Sequence, residues 1–200
     1  MDKFKERTSI VIGDQAIEKL DQASVIVFGL GGVGSYVVEA LARAGIGHLT
    51  LIDFDDVDIT NVNRQLPALH STLGCKKVDV VLDRVRDINP NIDVKGHICL
   101  YDETTSDQLL EDHYDYVVDA IDMVKSKIHL IETCYIRGLN IISSMGMGNK
   151  LDPCQIEISD IHKTEMCPLA KLVRKEAKQR GIKKLTVVYS KEKPSKPLVV

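Results

Sequence analysis

No run of about 18 apolar residues occurs anywhere in the 200-residue sequence, so no segment reads as a membrane-spanning helix. The N-terminus, MDKFKERTS, is charged and lacks the apolar core of a secretory signal. The five cysteines stand at 75, 99, 134, 154 and 167, and no two form a Cys-x-x-Cys pair. That argues against a zinc ribbon, and the odd, scattered set argues against a disulfide framework. The compartment it points to is the reducing cytoplasm. Neither charge dominates: the net charge of −3 excludes a molecule that binds polyanions over its whole surface, though not one with a local basic patch. Internal repeats and low-complexity segments are also missing.

What remains is 44% hydrophobic and 28% charged, as expected of a soluble α/β domain with a real core. Residues 14–21 read as a short amphipathic helix. VIVFG, 25–29, is a continuous apolar run ending in glycine, as a buried parallel strand should be. A helix follows, with Val33, Val37, Val38, Leu41 and Ala44 on one face, and then a strand over 48–53. The pattern predicts helices over 76–88, 104–112 and 125–138. It predicts strands in DVKGHICL, in YDYVVDAID ending at Asp122, and in LNIISSM. Strand and helix alternate, so the fold class is α/β: a Rossmann-like, doubly wound, mostly parallel sheet with helices on both faces. Past residue 150, QIEIS and KLTVVYS are additional strands flanking a basic helix over 168–180, read as a second layer. The chain stops just after a strand, at KEKPSKPLVV. It therefore reads as a single domain over 1–200 that lacks its C-terminal end.

Crossover handedness puts the loops after Phe28, Ile52, Ala120 and Ser144 at one edge of the sheet, where a ligand should bind. GLGGVG places Gly29, Gly31 and Gly34 as G-x-G-x-x-G between strand and helix, with Gly32 inside the motif. Such a loop turns tightly, lets phosphate approach the backbone and presents a helix N-terminus to it. Asp53, ending the next strand, suits the ribose of any adenosine. The loop does not by itself choose between NAD, FAD, SAM and ATP.

LIDFDDVDITNVNRQ goes further than a dinucleotide requires. Asp55, Asp58, Asn61, Asn63, Arg64 and Gln65 leave the second strand at the ligand edge. An arginine there meets the charge of a triphosphate, and Lys77 in GCKKVD starts the next helix within reach of phosphates. A carboxylate at Asp122 faces phosphates sensibly only through a cation, which points to Mg²⁺.

GLGGVGS, LIDFDDVDITNVNRQ, GCKKVD and VVDAID together resemble the adenylating superfamily of ubiquitin-activating enzymes and their bacterial ThiF/MoeB-type relatives. The resemblance runs from Arg7 to about Ile158. It implies ATP and Mg²⁺ held at Gly31, Asp53, Asn61, Arg64, Lys77 and Asp122. It also implies a homodimer in which Arg7 crosses to the partner's triphosphate. The chain has Asp122-Met123 where the family often has Asp-Asn. ERTSIVIGDQAIEKLDQASVIVFGLGGVGS and DIHKTEMCPLAKLVRKEAKQRGIKKLTVVYSKEKP are similar to one branch, the tRNA threonylcarbamoyladenosine dehydratases. That likeness implies ATP-dependent cyclisation of the modified adenosine beside the anticodon, by adenylation of its threonyl carboxylate. It also leaves room for a sulfur-transfer protein as partner.

A charge cue is independent of the likeness. Lys171, Arg174, Lys175, Lys178, Arg180, Lys183 and Lys184 are opposed within that stretch by Glu176 alone. Meeting about six phosphates would give a log–log salt slope of about −5. The rival readings are an adenylyltransferase for the C-terminal carboxylate of a sulfur-carrier protein, a non-catalytic nucleotide-dependent scaffold, and an NAD-dependent oxidoreductase. Missing cysteine pairs count against the first, Arg64, Lys77 and Asp122 against the second, and Arg64 and Lys77 against the third.

Overall fold

The computed structural model describes residues 3–111 and 113–196. It divides between Val118 and Asp119 into two compact units, and its seven strands form a mostly parallel sheet.

The first unit holds α1 (Glu6–Ile12), α2 (Asp14–Gln22), β1 (Ser24–Phe28), α3 (Gly34–Ala44), β2 (His48–Asp53), α4 (Lys77–Ile88), β3 (Asp93–Ile98) and α5 (Ser106–Leu109). The strand β4 (Tyr116–Asp119) runs across the division. β2 lies between β1 and β3, parallel to both, with Ser24 opposite His48 and His48 opposite Asp93. β1 is SVIVF, apolar on both faces after its first residue, and four of its five residues are buried. Such a strand is stable only when covered on both sides. Val27, Leu51, Val38, Val81 and Val85 form the centre of the resulting core. Gly45 ends α3 in the left-handed region at φ +87°, where its N–H reaches the Leu41 and Ala42 carbonyls. Gly47 is required by contact: a Cβ there would stand 1.7 Å from the Asp21 carbonyl oxygen.

The second unit holds α6 (Val124–Arg137), β5 (Ile141–Ser144), β6 (Ile156–Asp160), α7 (Pro168–Gln179) and β7 (Thr186–Ser190). β7 pairs in parallel with β5 and antiparallel with β6. The late strands therefore extend the sheet rather than forming the expected second layer. Val187 and Tyr189 of β7 turn their side chains into a core with Ile131, Ile161, Val173 and Ala177. Strand pairing plus one buried face gives QIEIS and KLTVVYS a place in the sheet itself.

Three local expectations also change. α1 is an additional helix that buries none of its side chains. The helix expected over 104–112, whose residue 112 lies outside the described residues, is a single turn at Ser106–Leu109; it starts late because Asp102 Oδ1 accepts the Thr104 N–H at 2.8 Å and holds the preceding segment in a turn. Strand four ends at Asp119, not Asp122, because Asp119 Oδ1 takes the Ile121 N–H at 3.0 Å and turns the chain out of the ladder.

Candidate functional site

In the first unit the glycine loop joins β1 to α3. Gly29 adopts φ +89°, and its N–H donates to the Ile52 carbonyl at 2.8 Å, so the turn begins while the chain is still paired with β2. Ser35 closes the loop from the helix side: its Oγ donates to the Gly31 carbonyl at 2.6 Å and accepts from the Leu66 N–H at 3.3 Å. Gly34 is the first residue of α3, and no side chain caps that helix. Its starting amides are therefore open to an anion, with the positive end of the helix dipole behind them. α4 likewise has no side-chain cap.

Asp53 is buried at the end of β2. Its Oδ2 accepts the Leu30 N–H at 2.6 Å and its Oδ1 the Asp55 N–H at 2.8 Å, so the carboxylate ties the glycine loop to the loop after β2. Burial raises its pKa above the usual carboxylate value, and the two amide hydrogen bonds and Lys77 partly offset that rise. Each oxygen keeps a second lone-pair direction for an outside donor such as a ribose hydroxyl.

Lys77 is 4% exposed, yet its Nζ lies 2.6 Å from Asp55 Oδ2. The chain is led there by backbone pairing, since the Lys77 N–H donates to the Asp55 carbonyl at 3.1 Å. Asp58 caps the short turn Ile59–Asn61, and Asn61 Oδ1 accepts the Asp58 N–H in return. That capping box delivers Arg64 and Gln65 onto the glycine loop. A Cβ on Gly32 would stand 3.3 Å from Arg64 Cγ, so the arginine stem lies directly across this glycine. Arg64 is exposed, and its guanidinium donates to the Thr60 carbonyl at 3.0 Å and to Asn63 Oδ1 at 2.8 Å, with no carboxylate pairing it among the described residues. Gln65 is 8% exposed beside Gly31, and its Oε1 has no partner among the described residues. The structure thus brings Gly29, Gly31, Gly32, Gly34, Asp53, Asp55, Asn61, Arg64, Gln65 and Lys77 into one neighbourhood. Arg7 stands apart on α1, exposed and without a partner among the described residues.

In the second unit Asp122 sits on the turn between β4 and α6, exposed, with no hydrogen bond or ion pair to another described residue. It does not cap α6, whose N-cap is Met123. Of the seven cations expected on the basic stretch, two are committed locally. Arg174 Nη1 donates to the Thr164 carbonyl at 2.6 Å and to Thr164 Oγ1 at 2.7 Å. Arg180 pairs with Glu132 and Glu176. Lys171, Lys175, Lys178, Lys183 and Lys184 are exposed and have no partner among the described residues. Pro168 and Leu172 join Lys171, Arg174, Lys175 and Lys178 around a shallow groove of about 490 Å³. Sequence reading overlooked one group, the buried Asp119, Lys127 and Ser143, whose only signal is a charge at the end of an apolar strand and a lysine one turn into the next helix.

All five cysteines are free. Burial first, then the Asp119 carboxylate, pushes the Cys134 thiol up to about 12. No helix among the described residues is long and apolar enough to cross a membrane.

A parallel sheet carrying a glycine loop, a ribose-type carboxylate and an unpaired arginine laid over that loop defines a Rossmann-like nucleotide-binding protein of the adenylating kind. The chain belongs to the ThiF family, whose model matches residues 6–189. It is 48% identical over 189 residues to the tRNA threonylcarbamoyladenosine dehydratase of Bacillus subtilis, covering 94% of this chain and 74% of that protein. It is 48% identical over 163 residues to the enzyme of the same name from Haemophilus influenzae, covering 80% of this chain and 61% of the relative. The crystal structure of the Escherichia coli tRNA N6-threonylcarbamoyladenosine dehydratase in complex with ATP superposes with a TM-score of 0.93 at 36% identity, over 98% of this chain and 86% of that one.

Proposed function

We propose that this chain is an ATP-dependent tRNA threonylcarbamoyladenosine dehydratase, working as one adenylating domain. The observation that carries the reading is Arg64 laid across Gly32, with no carboxylate among the described residues to neutralise it. A triphosphate brings about four negative charges to the glycine loop against about two for a dinucleotide pyrophosphate, so a cation free to meet them there favours ATP. The likeness to the dehydratases of Bacillus subtilis and Haemophilus influenzae supports the choice of substrate.

In this reading Asp53 accepts from the ribose, and the amides of Gly31, Gly32 and Gly34 face the phosphates. Gln65 Oε1, buried and without a partner, is left to accept from the nucleotide. A threonyl carboxylate oxygen attacks the α-phosphorus of ATP. The bond to the bridging oxygen breaks, and pyrophosphate leaves with its electron pair. Two anions approach each other, so cations at rest in the site stabilise the transition state without reorganising. Arg64 supplies one, and Lys77 supplies another because its ammonium has donors beyond the one facing Asp55. The carbamoyl group then closes on the activated carbonyl, and AMP leaves. The sum is loss of one water from the nucleoside while ATP becomes AMP and pyrophosphate.

Asp122, an exposed and unpaired carboxylate, fits a hard cation held jointly with phosphate oxygens, and Mg²⁺ typically keeps only one or two protein carboxylates. When bound, that ion would neutralise phosphate charge. Ile10 and Val11 of α1 are 79% and 82% exposed, an uncovered apolar face beside Arg7. A second copy covering it would form a homodimer and carry Arg7 to the other triphosphate. Lys171, Lys175, Lys178, Lys183 and Lys184 hold the tRNA backbone, while Arg174 and Arg180 shape the helix that presents them. The working compartment is the cytoplasm.

The test is to incubate the protein with ATP, Mg²⁺ and tRNA carrying threonylcarbamoyladenosine, then digest the tRNA and weigh its nucleosides. An ATP-dependent loss of the mass of one water is expected. Unchanged nucleosides, from protein that still binds ATP, would move the substrate to a protein carboxylate.

A further inference from the structure

The end of β4 carries a charged cluster that none of the site roles above uses. Asp119, Lys127 and Ser143 are each fully buried, at 0% exposure. Lys127 Nζ donates to Asp119 Oδ2 at 2.7 Å, to the Ser144 carbonyl at 2.9 Å and to Ser143 Oγ at 3.3 Å. Ser143 Oγ donates to the same Asp119 oxygen at 2.5 Å. The other Asp119 oxygen accepts the Ile121 N–H at 3.0 Å. The Lys127 N–H donates to the Met123 carbonyl at 3.0 Å. The buried side chains therefore hold the turn 120–123 at Ile121 and tie it to the end of β5, while the other end is fixed by the first backbone hydrogen bond of α6.

Stability is a poor reason for such a cluster. Taking two charges out of water costs as much as their attraction returns, and apolar replacements of similar volume are often neutral or stabilising. What the network does provide is geometry. Asp122 has no hydrogen bond or ion pair of its own among the described residues, so its position is set by the backbone on either side. A cation site requires its carboxylate to be placed within a fraction of an ångström.

We infer that Asp119, Lys127 and Ser143 are positioning residues that hold the Asp122 turn in the orientation needed to share a Mg²⁺ ion with ATP. The inference rests on the reading of Asp122 given under the proposed function. Its readout is the ratio of ATP affinity with Mg²⁺ to ATP affinity in EDTA, measured by calorimetry on the full chain. A network that only supports the fold would lower both affinities together and leave the ratio alone.

In the double variant Asp119→Val/Lys127→Met, which removes both charges and releases the Ile121 N–H, the ratio should fall about tenfold, the size seen for residues that orient metal ligands. Ser143→Ala, which leaves the ion pair intact and removes one hydrogen bond to the buried carboxylate, should lower it by less than the double variant does, about two- to threefold, the low end of what one buried hydrogen bond contributes. A folded double variant with the parent ratio would overturn the inference. If circular dichroism shows that the double variant does not fold, Ser143→Ala decides, and an unchanged ratio there overturns it. Asp122→Asn separates the two claims. When it lowers the ratio and the network variants do not, only the positioning role fails. When it leaves the ratio unchanged, Asp122 holds no cation and both fail.

Discussion

Replacing Lys171, Lys175 and Lys178 together by alanine should flatten the salt dependence of tRNA binding and leave the fold alone. The magnitude follows from counting which cations are free. Five lysines of the basic stretch have no partner among the described residues, whereas Arg174 is spent on Thr164 and Arg180 on Glu132 and Glu176. At about 0.9 log unit per phosphate neutralised, five free cations give a slope of about −4.5, and the two left in the variant give about −1.8. Between 50 and 200 mM salt the parent should weaken by roughly 500-fold and the variant by roughly 12-fold. All three lysines are exposed on α7, and alanine is the best helix former, so the melting temperature should not drop. Fluorescence anisotropy with labelled tRNA across that salt range reads the slope directly. A slope that stays near the parent's would refute the assignment. So would an equal flattening in the double variant Arg174→Ala/Arg180→Ala, because those guanidiniums should contribute to the fold and not to phosphate binding.

Three further outcomes are expected. Arg64→Ala should lower the rate of tRNA dehydration by about 10²–10³-fold, the range for losing one preorganised donor, with an unchanged thermal melt because Arg64 is exposed; near-parent turnover would remove Arg64 from the site. Glu39 joins α3 to α4, and its carboxyl is held below its ordinary value near 4.5, chiefly by the Arg84 hydrogen bond and also by Arg43. The stabilisation is therefore fully present above that ordinary value and is lost as pH falls through the lowered folded value. Glu39→Gln should cost about 0.5–1 kcal/mol at neutral pH and have less to lose on acidification, as followed by urea melts at several pH values. With its thiol at about 12, Cys134 should resist iodoacetamide at pH 8 in the native protein, whereas the exposed Cys75 and Cys154 should react; peptide mass spectrometry would show this, and rapid Cys134 labelling would contradict the burial argument.

The sequence by itself determined the alternation of strands and helices, because apolar runs such as VIVF and the helical spacing of Val78, Val81 and Val85 are local patterns that burial then satisfies. It also marked the glycine loop, Asp53 and the Asn61–Arg64–Gln65 run as candidates for a nucleotide site, because residue type and spacing suggest that chemistry one residue at a time. Tertiary structure decided which charges are available. Seven cations look alike in the sequence, yet Arg174 and Arg180 are consumed by Thr164, Glu132 and Glu176, all more than one turn of helix distant except Glu176. It placed the strands after residue 150 in the sheet, because pairing of Ile142 with Thr186 joins residues whose partnership no local pattern records. It ended β4 at Asp119 and buried that carboxylate against Lys127 and Ser143. Whether a charged side chain faces water or another charge depends on what the rest of the chain brings to it. Periodicity carries no information about that, and only the folded packing supplies it.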